Sequence, residues 1–197
     1  VKHHVLILAA GLALATLGGC ASAPEERFYT LSAVAAANPA APRATYTVAV
    51  GPVTVPDTVD RPQLVLRLDA NRVAIQEHTR WAAPLQSGIG QVVAANLAQL
   101  LGGARVAAYP QNATTDTDYR VAVDVQRFES TLGAAASLDA LWTIRSAQGT
   151  VLKAGRTTVS EPAPGSDTET LVAAHDRALA TLSRDIAQFL PGTRPAP

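Results

Sequence analysis

An uncharged run of thirteen residues, Val5 to Leu17, follows Lys2, His3 and His4 and leads into the chain's single cysteine, Leu17-Gly18-Gly19-Cys20. This constrains folding in two ways. As a helix the run reaches roughly 20 Å, short of a ~30 Å hydrocarbon core. The basic start, the apolar run and the small residues Gly18 and Gly19 read together as a signal peptide over residues 1–19. A lone cysteine also permits no intrachain disulfide and no cysteine-rich metal site, so the remainder must be held by its apolar core.

Leu17-Gly18-Gly19-Cys20 looks like a bacterial lipobox, in which the cysteine is acylated and becomes the first mature residue. Two or three acyl chains, at about 0.8 kcal/mol per buried CH₂, hold a protein on a bilayer. Ala21 follows, where the sorting scheme of enteric bacteria uses Asp to retain a lipoprotein in the inner membrane; the expectation is the outer membrane, facing the periplasm. Residues 20–44 then form a tether with a short strand at Phe28–Leu31, and Ser32 to Ala44 is Ala/Pro-rich with no useful period. One domain spans 45–190, and 191–197 is a loose tail.

Within the domain, Tyr46, Val48, Val50, Val53 and Val55 alternate around Gly51-Pro52, which suggests a bulge or an edge position. Gln63–Leu68 and Arg72–Glu77 flank Asp69-Ala70-Asn71 as a hairpin, with Leu64, Leu66 and Leu68 on one face. Pro84 opens a helix whose stripe runs from Leu85 through Ile89, Val93 and Leu97 to Leu101, stopped by Gly102-Gly103. A strand at Arg105–Tyr109, a polar loop at Gln111–Thr117 and three β segments (Tyr119–Ser130, Ala136–Ala147, Thr150–Glu161) follow. A last helix runs from Asp167 to Leu190, capped by Ser166 or Asp167. Strands, helix, strands, helix make an α+β fold: a mostly antiparallel sheet with two helices packed on one face.

Sixteen basic residues balance sixteen acidic ones, so no net field favours nucleic acid. His78 and His175 share no metal-ligand spacing, and His175, beside the apolar stripe of the last helix, reads as a packed histidine rather than a base. No G-x-S-x-G, S-x-x-K or C-x-x-C occurs. Gly88-Ile89-Gly90 falls inside a helix and lacks the third glycine of a dinucleotide turn. Asp57/Asp60 and Asp116/Asp118 are turn residues. The reading is of no enzyme, no catalytic residue, no metal and no cofactor. The informative residues are Arg61, Gln63, Arg80 and Trp81, near rigid prolines, since Trp and Arg concentrate at interface hot spots. Trp81 also reads as a staple of the loop onto the hairpin.

Phe28-Tyr29-Thr30-Leu31, Val50-Gly51-Pro52-Val53-Thr54-Val55-Pro56, Asp60-Arg61-Pro62-Gln63, Arg80-Trp81 with Pro84-Leu85, and Arg127-Phe128-Glu129, in that order, resemble the PqiC family of ABC-type transport auxiliary lipoproteins. The resemblance implies a subunit of an intermembrane lipid transport system that docks onto a periplasmic MCE-domain protein, with phospholipid as cargo. It also implies a homo-oligomeric ring, as reported for some members. Ala83 departs from the acidic residue that relatives often carry there. A second reading is a periplasmic carrier lipoprotein that binds lipid without an MCE partner, its Ala and Val leaving room for an acyl chain between sheet and helices.

Overall fold

The computed structural model describes residues 24–37, 44–102, 104–109 and 117–191. The signal peptide, Cys20, nearly all of the Gln111–Thr117 loop and the 193–197 tail lie outside the described residues. Among the described residues the order is β1 (Arg27–Tyr29), β2 (Thr47–Thr54), β3 (Gln63–Arg67), β4 (Val73–Trp81), α1 (Leu85–Leu100), β5 (Arg105–Ala108), β6 (Tyr119–Thr131), β7 (Ala135–Ser146), β8 (Val151–Pro162) and α2 (Thr168–Ala187). The fold is α+β as expected. The single sheet is mixed: the β6–β7, β7–β8 and β3–β4 pairs are antiparallel, whereas β2 pairs in parallel with β5 and β6, β1 with β4, and β3 with β6. The long antiparallel ladders nonetheless contain most of the paired residues.

The sheet forks at β6. One edge of this strand bonds β7 along its whole length, from Tyr119 opposite Ser146 to Thr131 opposite Ala135. The other edge is divided. Its first half takes β2, with Val48 opposite Tyr119 and Thr54 opposite Asp124, and its far end takes β3, with Leu66 opposite Ser130. β5 extends the first wing; β4 and β1 extend the second. Residues 55–62 connect the wings across the fork, where the β6–β7 register slips between Val125 and Arg127. The Gly51-Pro52 pair, a cis peptide, marks a bulge inside β2, a strand with neighbours on both sides. Gly51 has φ +135°, and a Cβ there would lie 2.8 Å from Tyr109 Cβ, so glycine is required.

Alternation assigns the faces. Val48 and Val50 of β2, Val121, Val123 and Val125 of β6, and Leu138, Trp142 and Ile144 of β7 are all buried toward the helices. Ile89, Val93 and Leu97 of α1 and Leu179, Leu182 and Ile186 of α2 meet them at zero exposure, each contributing about 1.5–3 kcal/mol by burial. The space between sheet and helices is filled by these side chains. Trp142 lies flat against β8 at Gly155, where a Cβ would come within 2.2 Å of its ring. Gly90 lets α1 approach β2, its Cβ position standing 3.4 Å from Val53 Cγ2, which gives the helical glycine a packing role. α2 starts on Asp167, whose carboxylate accepts from Thr170 N–H at 2.7 Å, and ends at Ala187, three residues earlier than expected. Asp118, at the start of β6, accepts from both Thr47 N–H and Thr47 Oγ1, clamping β2 to β6.

Two segments depart in detail from the sequence pattern. Residues 31–37 carry no regular structure, yet they form a strap across both helices. Ser32 N–H donates to Asp176 of α2 at 2.8 Å and Ala35 N–H to the buried Asn96 of α1 at 2.9 Å. In the hairpin, Leu64 is buried but Leu68 is 55% exposed, and Val73 and Ile75 pair with Arg67 and Val65 on the face opposite Leu66.

Candidate docking site

Two backbone bonds pin β4 where it turns into α1: Trp81 N–H donates to Pro62 O at 2.7 Å and Ala82 N–H to Tyr29 O at 2.8 Å. Pro84 then opens the helix with no side-chain cap, Gly88 N–H reaching back to Pro84 O. Opposite stands a tight turn in which Val59 and Asp60 N–H both donate to Pro56 O, and Arg61 N–H to Val59 O. Gln86 of α1 donates to Asp60 Oδ2 at 2.9 Å, tying this turn to the helix. Between them opens a cavity of about 370 Å³ bounded by Asp60, Arg61, Pro62, Trp81, Ala83 and Pro84. A second, of about 230 Å³, lies on the other side of Trp81 and Ala83, between the strap at Leu31 and Ala33 and the α1 face at Gly88 and Gln91.

The structure thus brings Arg61 and Trp81 into one cleft. Arg61 Nε is buried and makes no hydrogen bond among the described residues, and the residue lines the cleft together with Pro62 and Trp81. Gln63 and Arg80 sit opposite each other across β3 and β4, outside that cavity's lining. Arg80 turns to the incoming chain, with Nη2 3.2 Å from Glu26 and Nε donating to Glu77 O. Trp81 is only 8% exposed, and its ring meets Phe128 and His175 edge-on at 6.2 and 6.4 Å. It is both a wall of the cleft and part of the core. The bond between Asp60 and Gln86, which fixes the cleft's far side, carries no sequence signal because it spans two elements.

His175 is fully buried. Its ring stacks on Phe128 at 3.9 Å, Nε2 shares a 2.8 Å hydrogen bond with Ser130 Oγ, and Nδ1 has no hydrogen-bond partner among the described residues. Burial pushes its pKa down to about 3, so it is neutral. A serine–histidine pair is present, then, with Ser130 3% exposed and His175 fully buried. Neighbouring Asp176, which holds the strap, has its carboxyl raised by burial. Among the described residues no group of three or more His, Cys, Asp or Glu could hold a metal ion, and no helix is long and apolar enough to cross a membrane.

The face of the sheet away from the helices is open. A concavity of about 700 Å³ on this face is bounded by Ala49, Gly51, Pro52, Tyr109, Arg120 and Arg145. Asp139 lies on the same face at 4% exposure, gripped by both arms of Arg156, which hold its carboxyl below the usual range.

The fold is shared with known structures. A crystal structure of protein XCC0632 from Xanthomonas campestris superimposes with a TM-score of 0.68 at 22% identity, covering 82% of this chain and 92% of that one. A second, uncharacterized protein gives a TM-score of 0.69 at 21% identity over 84% and 98% of the two chains. No curated protein matches. The family model that does match spans residues 29–187, from the last residue of β1 to the last of α2, and so takes in the cleft, the strap and both wings. The chain belongs to the family of the ABC-type transport auxiliary lipoprotein component.

Proposed function

We propose that this protein is a non-enzymatic, outer-membrane lipoprotein subunit of an MCE-type intermembrane lipid transport system, anchored by acylated Cys20 and docking onto the periplasmic MCE protein. Membership of an auxiliary transport lipoprotein family carries the reading. The cleft at the fork supplies a docking point lined by the Arg61 side chain beside Pro62 and Trp81, with Arg80 and Gln63 next to it on β4 and β3. Such a site fits a carboxylate or carbonyl set next to an apolar side chain.

The test is a pull-down of the tagged, acylated protein from detergent-solubilised envelope, with mass spectrometry of proteins and lipids. An MCE-domain protein is expected, and Arg61→Ala combined with Arg80→Ala is expected to lower its recovery about tenfold or more, in line with hot-spot losses above ~1.4 kcal/mol. Trp81→Phe, which preserves the core, is the aromatic probe. Unchanged recovery in these variants moves the interface elsewhere; absence of any MCE-domain protein ends the reading. The same material, sized by light scattering, reports whether copies assemble into a ring.

The carrier reading has one observation in its favour, the concavity of about 700 Å³ on the open sheet face, which pairs apolar Ala49, Pro52 and Tyr109 with Arg120 and Arg145. Stoichiometric co-purified phospholipid without an MCE partner would support it.

A further inference from the structure

β1 runs parallel to the end of β4, with Arg27 opposite Thr79 and Tyr29 opposite Trp81. The chain ahead of Arg27 therefore arrives from the side on which β4 begins, the side of the β3–β4 turn. From Val73 to Thr79 along β4 is about 20 Å at strand rise. From Cys20 to Arg27 the chain reaches up to ~24 Å, and only three residues, a span of at most ~14 Å, separate Cys20 from the first described residue, Pro24. The tether thus has the direction and the length to set Cys20 level with that turn.

The turn is built for apolar contact. Leu68, Val73 and Ile75 are 55%, 44% and 41% exposed. The one acid at its tip, Asp69, is already engaged: it accepts from Asn71 N–H, Arg72 N–H and Arg72 Nε, and the Asn71 bond holds its carboxyl low. The Asp69–Arg72 pair leaves the tip without net charge. Because β3 is parallel to β6 and Leu66 faces Ser130, the β6–β7 turn lies at the same end of the sheet, and it adds Leu132 at 43% exposure. Exposure alone does not choose this end, since Val151 and Leu152 are exposed at the start of β8. The direction of the tether does.

We propose that the β3–β4 turn, through Leu68, Val73 and Ile75, inserts into the interfacial zone of the leaflet that holds the acyl chains, so that the domain meets the membrane at two points. The occupant is the bilayer itself. With no net charge at the tip, contact rests on apolar burial and needs no anionic lipid. The proposal builds on acylation of Cys20, and the experiment separates the two.

Acylation blocks the native thiol, so Ala70→Cys creates one labelling site, and Gln148→Cys another in the β7–β8 turn, about 40 Å away along the twelve residues of β7. Each acylated variant is reconstituted into phosphatidylcholine vesicles and labelled with an environment-sensitive fluorophore. The label at residue 70 is expected to shift to the blue and to be quenched several-fold more by doxyl-labelled phosphatidylcholine than the label at residue 148. A label at 70 that stays wet and unquenched overturns the proposal, as does quenching at 148 instead. A blue-shifted but unquenched label at 70 overturns it too, because protein then covers the turn. Failure of the anchor is read separately: an unacylated chain takes a second label at Cys20 and does not float with the vesicles.

Discussion

His175 shows what a single buried side chain does to the pH response. Its folded pKa is about 3 against 6.5 in the open chain, so between those values the unfolded state binds the extra proton. Stability is full above pH 6.5 and falls as pH drops toward 3, by about 1.4 kcal/mol per pH unit. Asp176, with its carboxyl raised, works in the opposite sense. Urea midpoints measured from pH 7 to pH 4.5 should fall steadily in the native protein, and His175→Phe should flatten that slope whatever it does to the absolute stability. The sequence placed His175 near the apolar stripe of the last helix, because spacing along a helix reports its own face. It could not report the stack on Phe128 or the bond to Ser130, which come from another element. Gly155 was silent for the same reason: what it accommodates, the Trp142 ring, lies on the neighbouring strand.

At the scale of elements, period and punctuation recovered the two helices and the chain of strands, since alternation and the 3.6-residue stripe are local signals. Partner and direction are not local, and for that reason the parallel pairing of β2 with β5 and β6, and of β1 with β4, had no mark in the sequence. The strap was illegible for a different reason: an Ala/Pro run without period says nothing about what it lies on. Its signal was on the receiving side, in Asn96, a polar residue inside an apolar helix stripe. Asn96→Ala leaves Ala35 N–H without its buried acceptor and should cost about 1–3 kcal/mol. Hydrogen exchange checks it: protection at Ala35 should fall sharply, with the β6–β7 ladder losing far less. Of the residues proposed for docking, Arg61 and Trp81 share a cleft, a juxtaposition that the sequence pattern does not show, and the Gln86–Asp60 bond on its far side required the fold to bring loop and helix together.

For the whole molecule, the fork makes two wings out of one sheet, and one apolar core runs beneath both, joining Trp81 and Leu64 of the second wing to Trp142 and the valines of β2 and β6. A shared core of this kind unfolds as one unit. The two tryptophans test it, because Trp81→Phe leaves only Trp142 as reporter and Trp142→Phe leaves only Trp81. In each variant, fluorescence and far-ultraviolet circular dichroism should give coincident denaturation curves; separated midpoints would mean that the wings melt independently. The β1–β4 pair has a mechanical consequence as well. On the proposed function, the chain is fixed at Cys20 and docked at the cleft, and it would be under tension whenever these two attachments move apart. Because β1 lies along β4 and the tether enters along the strand axis, that tension loads the β1–β4 hydrogen bonds together in shear, rather than opening them one by one. The load passes next to the strap's bonds at Asp176 and Asn96, and from there into both helices. The three-residue strand at the edge of the sheet is thus the molecule's strain relief.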